Sequence, residues 1–327
     1  MSTLIERTAL TWAKSLWPKL NGDLSMDLLA GEASLRRYYR LSDGQDTLVL
    51  MIGPDRLENQ VYQDFGERLA LSLPLPKIYA HNQENGFFLM TDLGEERLDR
   101  LINAGSPSDR RDLLLKVADL LAKWRGKAQE ALIASPYLGH NPAFSRNFAK
   151  VYEWEYFLRG LALLGLEAPS PRLLSSGEKL LDNIPLTPWT IIHRDFQSRN
   201  LTLFNEEVYV LDWQGAREGP ATYDLASFMY DPYTNLTDAE RAYFLKAYEE
   251  KTGGLDLQES LDRIAPSRLA QAIGAYCHLA DRGLPYGPYL LPALARLSLA
   301  LDRLPGDYQP LKTYIAKAQA RAKELFS

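Results

Sequence analysis

Near the start of the chain, apolar residues recur every three or four positions, at Ile5, Ala9, Trp12 and Leu16, which predicts an amphipathic helix. Trp17-Pro18 and Asn21-Gly22-Asp23 should end it. The pattern then shortens to strand-like runs at 26–29, 35–42 and 47–52. The first two are joined across Ala30-Gly31-Glu32-Ala33-Ser34, the last two across Asp43-Gly44-Gln45-Asp46. A helix is expected over 56–71, with Val61, Phe65 and Leu69 facing inward, and Pro74 and Pro76 stop it. Two more strands are expected around 77–81 and 86–90. Together these elements make a small antiparallel sheet with one packed helix.

Beyond Thr91-Asp92-Leu93-Gly94 the periodicity is helical, which puts a boundary between a first lobe, 1–91, and a second, 92–327. Ser106, Pro107 and Asp109 read as N-cap, first helical residue and first-turn acid. Leu113, Val117, Leu120, Leu121 and Trp124 supply that helix's apolar face. A second helix is expected over 144–164, stopping at Gly165. Thr237-Asp238-Ala239-Glu240 reads as a capping box whose helix ends at Gly253-Gly254, and three further helices fill 257–280, 288–304 and 308–326.

Between the helical stretches lies the segment that carries chemistry. An apolar strand, 189–192, runs into His193-Arg194-Asp195-Phe196-Gln197-Ser198-Arg199-Asn200. A hairpin follows, 201–204 and 208–211 around Asn205-Glu206-Glu207, and Asp212 emerges from its end. Folding back, the hairpin brings Asp195, Asn200 and Asp212 to one small volume. Phosphoryl transfer needs such a set: one carboxylate to accept a hydroxyl proton, and an amide oxygen and second carboxylate to hold Mg²⁺ on ATP phosphates.

Composition narrows the partners. Of 327 residues, 46% are hydrophobic and 24% charged, as in an ordinary globular protein, and the net charge is -5. No Lys/Arg-rich run is present, so neither nucleic acid nor an anionic membrane is an expected partner. The single cysteine, Cys277, allows no intrachain disulfide and fits a reducing, cytoplasmic setting. No signal-peptide pattern and no run of about 18 apolar residues is seen.

The loop His193 to Asn200 matches the kinase pattern H-R-D-x-x-x-x-N at every fixed position, while Asp212-Trp213-Gln214 stands where protein kinases have Asp-Phe-Gly. With Gly31-Glu32-Ala33-Ser34-Leu35-Arg36-Arg37-Tyr38-Tyr39-Arg40, Gly86 to Gly94, Gly219-Pro220 and Tyr223 to Ser227, this resembles the anomeric sugar kinases. They are a branch of the aminoglycoside phosphotransferase superfamily and phosphorylate N-acetylmuramate and N-acetylglucosamine at C1 in cell-wall recycling. The resemblance implies an α+β, bilobal protein-kinase-like fold: a small antiparallel sheet lobe plus a larger, mostly helical lobe. It implies Asp195 as the catalytic base, Asn200 and Asp212 as Mg²⁺ ligands, and ATP held by Ser34, Arg36 and the backbone from Met90 to Asp92. His193 is expected as a structural hydrogen-bonder. Asp224 is expected to brace the catalytic loop, or equally to serve as a helix N-terminal charge. Gln197, Arg199 and Arg282 are the candidates for acceptor contacts, with a helix-end surface cation the equal alternative for Arg282. A monomer acting on a small-molecule amino sugar is expected.

Kinases place a lysine on the third strand, paired with a helix glutamate. Here that strand reads Thr47-Leu48-Val49-Leu50-Met51-Ile52, without lysine, and Glu58 lies early on the helix for the pairing. Arg36, sharing a strand face with Tyr38 and Arg40, is the candidate substitute cation. Two alternatives stay open: a kinase of another small alcohol, such as an aminoglycoside, choline or homoserine, and a weakly active nucleotide-binding pseudokinase.

Overall fold

The structure, a computed structural model, describes residues 3–17, 24–30, 35–254 and 256–326. Ser34 and the turn residues Asn21-Gly22-Asp23 therefore lie outside the described residues. In chain order the sheet lobe comprises α1 (Leu4–Leu16), β1 (Ser25–Ala30), β2 (Arg37–Ser42), β3 (Thr47–Ile52), α2 (Arg56–Leu69), β4 (Ile78–Asn82) and β5 (Phe87–Thr91). The strands form one antiparallel sheet in the order β1-β2-β3-β5-β4.

β3 is apolar on both faces because both are covered. Leu48, Leu50 and Ile52 join Ala9 and Ala13 of α1 in one cluster, while Met51 joins Val61, Tyr62 and Phe65 of α2 in the other. The face of α1 is rotated from the expected one. Ala9 and Ala13 are fully buried, whereas Ile5 and Leu16 are 40% and 45% exposed. Small residues let the helix sit close to the sheet, and Thr3 and Glu6 cap it reciprocally.

The helical remainder comprises α3 (Leu98–Ala104), α4 (Pro107–Leu132), α5 (Arg146–Ala149), α6 (Glu155–Leu163), α7 (Pro171–Asp182), β6 (Trp189–Ile192), β7 (Leu201–Phe204), β8 (Glu207–Val210), β9 (Arg217–Pro220), α8 (Tyr223–Met229), α9 (Asp238–Lys251), α10 (Gln258–Asp281), α11 (Leu290–Asp302) and α12 (Gln309–Phe326). Thr237 caps α9 with the expected reciprocal bond to Glu240, and Ser106 caps α4 as expected, its bond with Asp109 proving reciprocal as well.

Three features depart from expectation. The helix expected over 144–164 is broken by a π-helical turn, Lys150–Trp154, between α5 and α6. That extra residue turns Glu153 fully inward. Trp154 packs in the core against Phe157 and Gly177. Neither α7 nor β9 was expected; β9 pairs antiparallel with β6, Ile192 opposite Arg217, and so carries the chain back behind the catalytic loop.

Candidate active site

The hairpin β7–β8 pairs Leu201 with Val210 and Phe204 with Glu207, its second strand starting and ending one residue earlier than expected. Asn205 and Glu206 both adopt positive φ, 48° and 63°, as a two-residue hairpin turn requires. Leu211 then donates its N–H to the Asn200 carbonyl at 2.9 Å, and Asp212 turns left-handed at φ 63°. This local geometry brings the Asp212 carboxylate to the loop that begins at His193.

Two buried carboxylates hold that loop from behind. Asp224, at the start of α8, accepts the backbone N–H groups of His193 and Arg194 at 2.6 and 2.9 Å. Asp231 accepts from the Ser198 N–H and hydroxyl at 2.7 and 2.5 Å. Sequence reasoning missed Asp231, which lies just past the end of α8 and carries no local motif that would have marked it. Burial pushes Asp224 up to about 7, against the pull of the two N–H donors. His193 is buried and its Nε2 lies 2.9 Å from the Leu211 carbonyl, so Nε2 carries the proton. Burial lowers its tendency to take a second one, despite Asp195 and Asp212 nearby.

Asp195 itself remains about a third exposed. Asn200 Nδ2 donates to the Asp195 carbonyl at 2.9 Å, which fixes the amide with its oxygen as the available donor atom. Gln214 Nε2 donates to Asp212 Oδ1 at 2.8 Å, while Gln214 Oε1 is buried without a hydrogen-bond partner. A short set of oxygen donors with an unsatisfied buried oxygen beside it fits a hard divalent cation.

A second group missed from the sequence surrounds Asp195. Arg268, fully buried on α10, places Nη2 3.5 Å from Asp195 Oδ1, while its other nitrogens donate to Ser227 Oγ and Gln271 Oε1, both at 2.7 Å. Arg194 Nη1 lies 4.0 Å from Asp195 Oδ2. Burial alone would raise the Asp195 carboxyl, but Arg194 and Arg268, with His193 and Arg217, hold it below the usual carboxylate range. Glu153 faces the same network and bonds to Tyr223 at 2.5 Å and to Ser267. The signal for Arg268 was present: a charge on a face otherwise built from Ile264, Ala265, Leu269 and Ala272 needs a buried partner.

On the sheet side, Arg36 is 3% exposed and points inward, while Arg37 and Tyr39 turn to the opposite face, under α1, to share Glu6, both at 2.7 Å. Arg36 Nη2 lies 3.3 Å from Glu58 Oε2, and the guanidinium sits over the Tyr62 ring at 5.2 Å. Glu58 is therefore not too early on α2; it pairs with a cation from the neighbouring strand. Burial and the Asp212 carboxylate push the Tyr38 phenol up, opposed by Arg36. Trp213 ties this side to α2: it stacks on Tyr62 at 4.4 Å and donates to the Tyr62 carbonyl at 2.9 Å. A Cβ at Gly66 would meet the same indole at 2.8 Å.

The remaining candidates are spread out. Met90 sits mid-strand, in register with Val49 and Ile78, and Asp92 just past β5 grips Arg40 through Nε at 2.6 Å and Nη2 at 3.1 Å. Gln197 lines a small cavity with Ser227 and Arg268, and Arg199 is enclosed by tyrosines. Arg282 is exposed at the C-terminal cap of α10, away from the contacts that gather at Asp195.

This arrangement has a testable consequence. Arg36→Ala should raise the KM for ATP or lower kcat about tenfold or more, a loss of about 1.4 kcal/mol. Arg37→Ala should do far less, because Arg37 is engaged on the opposite face. Steady-state kinetics that ranked the two in reverse would contradict this orientation.

The sheet lobe, the helical remainder and the loop-plus-hairpin site together define a kinase-like phosphotransferase, and residues 26–261 match the phosphotransferase enzyme family (APH), to which the chain belongs. It is 26% identical over 262 residues to an N-acetylmuramate/N-acetylglucosamine kinase of Pseudomonas putida, covering 80% of this chain and 75% of that protein. A protein of the same name from Pseudomonas aeruginosa is 26% identical over 306 residues, covering 90% of this chain and 84% of the relative. Among solved structures, choline kinase LicA from Streptococcus pneumoniae superposes with a TM-score of 0.60 at 17% identity, over 90% of this chain and 99% of that one. Plasmodium vivax ethanolamine kinase gives 0.60 at 14% identity, over 89% and 87%. No helix of the described residues is long and apolar enough to cross a membrane.

Proposed function

We propose that this phosphotransferase moves the γ-phosphoryl group of ATP to the anomeric C1 hydroxyl of N-acetylmuramate or N-acetylglucosamine. The observation that carries the reading is the tie between the Asp195 loop and the strand end before Asp212, through Asn200 to the Asp195 carbonyl and Leu211 to the Asn200 carbonyl, with Asp195 partly open and faced by Arg268. The names of the Pseudomonas relatives supply the acceptor. Asp195 takes the proton of the attacking hydroxyl. An anomeric hydroxyl is more acidic than an ordinary alcohol, so it suits a carboxylate held among guanidinium groups. Asn200 and Asp212 would hold Mg²⁺, which when bound offsets phosphate charge. Arg36, held by Glu58, meets the phosphates from the sheet side, where the third strand has no lysine. Segments 1–91 and 92–327 form the two sides of the cleft, with the backbone near Met90 to Asp92 at the adenine. The proposed setting is a monomer working on a cytoplasmic ATP supply.

The test is a phosphorylation screen of the purified protein over amino sugars, aminoglycosides and amino alcohols. The product phosphate is then located by phosphorus–proton coupling in NMR. A C1 phosphate on an amino sugar is expected. A C6 phosphate, or turnover only of amines, would overturn the reading.

A further inference from the structure

Arg199 lies in the loop between Asp195 and Asn200, and its guanidinium fills a cage of aromatic rings. The guanidinium carbon stands 3.8 Å from the centre of the Tyr233 ring, 4.6 Å from Tyr289 and 5.7 Å from Tyr286. The rings are fixed by one another. Tyr233 meets Tyr289 edge-on at 4.6 Å and Tyr276 at 5.6 Å, and Tyr276 stacks near Tyr286 at 6.0 Å. The Tyr289 hydroxyl accepts a hydrogen bond from Arg199 Nη2, and an Asp99 carboxylate oxygen lies 3.5 Å from Arg199 Nε. Asp99 is itself held by Arg97 through two bonds of 2.7 Å.

Aromatic faces around a central point, with a carboxylate at one side, are the composition of a receptor for an organic cation. Here the chain supplies the cation. The cage is not sealed, since the Arg199 side chain is 23% exposed and Tyr286 and Tyr289 are only half-buried. It adjoins the proposed reacting centre because it hangs from the same six-residue stretch as Asp195 and Asn200. The fold alone does not reject amines, as solved structures that share it are named for choline and ethanolamine. Something in this loop must decide.

We propose that Arg199 is a specificity-determining residue: its own guanidinium occupies the tyrosine cage, bars quaternary-ammonium and other cationic acceptors, and leaves a fixed positive edge for a neutral or anionic one. The inference takes its meaning from the kinase reading above, but its test does not depend on turnover. Removing the side chain opens a pocket that keeps its three rings and the Asp99 carboxylate, and a small quaternary cation fits that chemistry.

The probe is tetramethylammonium, titrated into the full chain without ATP or metal and read by calorimetry and intrinsic fluorescence. Arg199→Ala should bind it about tenfold or more tighter than the parent, equivalent to about 1.4 kcal/mol. Tyr233→Leu added to that variant should return binding to the parent level. A folded Arg199→Ala that gains no affinity overturns the inference. Should that variant fail to fold, the parent protein decides: saturable binding of tetramethylammonium or choline to the parent overturns the proposal, and its absence alongside saturable amino-sugar binding supports it. Failure of the sugar-kinase reading would show separately, as no phosphorylation of any amino sugar by the parent.

Discussion

Asp195→Asn is expected to lower kcat by roughly 10²–10⁴-fold, the range over which a positioned general base contributes. The amide keeps nearly the size of the carboxylate, and its oxygen can still accept from Arg268, which stands 3.5 Å away. What it loses is the capacity to take a proton. The Arg36–Glu58 pair and Asp212, proposed above to meet the nucleotide, are untouched, so the KM for ATP should stay within about threefold. Steady-state kinetics with ATP and the acceptor varied in turn make the distinction. A kcat within a few-fold of the parent would remove Asp195 from the base role. A matching rise in both KM values would point to a collapsed loop instead.

Asp224→Ala should produce the largest loss of stability. Asp224 is 2% exposed and accepts two backbone N–H groups, at 2.6 and 2.9 Å. Removing it leaves both donors buried without an acceptor, at about 1–3 kcal/mol each, so a total of about 2–6 kcal/mol is expected. The melting temperature should fall by about 5–15 °C. Asp224→Asn retains one acceptor oxygen and should lose about half as much.

The pH dependence has a definite sign. In the folded chain burial raises Asp224 to about 7, above its unfolded value of about 3.9. The native state therefore binds more protons than the unfolded state between about pH 4 and pH 7, and stability from this group declines as pH rises through that window. The stability advantage of the parent over Asp224→Asn should shrink from pH 5 to pH 8 in denaturant melts. An advantage that grew with pH would show that the N–H donors outweigh burial.

Much of the molecule was legible because its signals are local. Capping at Ser106 and Thr237 needs residues only three apart, and both caps form as expected. The β7–β8 hairpin follows from two short apolar runs and a polar turn. Its register still slipped by one residue at the second strand, because Asn205 and Glu206 alone make the turn. The helix expected over 144–164 failed for a different reason. Its periodicity is continuous, but seating Glu153 against Tyr223 and Ser267 requires an extra residue in the turn, and those partners lie 70 and 114 positions away.

The catalytic loop shows the same division at one site. The sequence by itself determined which residue types stand at Asp195, Asn200 and Asp212, their spacing, and the alternation that sets Arg36, just before β2, on the face opposite Arg37. These depend on neighbours along the chain and on the period of a strand. Only the tertiary structure decided what holds them. Asp231 reaches Ser198 from 33 positions away, Arg268 reaches Asp195 from α10, and Arg199 meets tyrosines on two separate elements. Glu58, read as misplaced while a third-strand lysine was its assumed partner, pairs with Arg36 across 22 residues. A buried charge must find a partner wherever the fold brings one, and no local pattern encodes that distance.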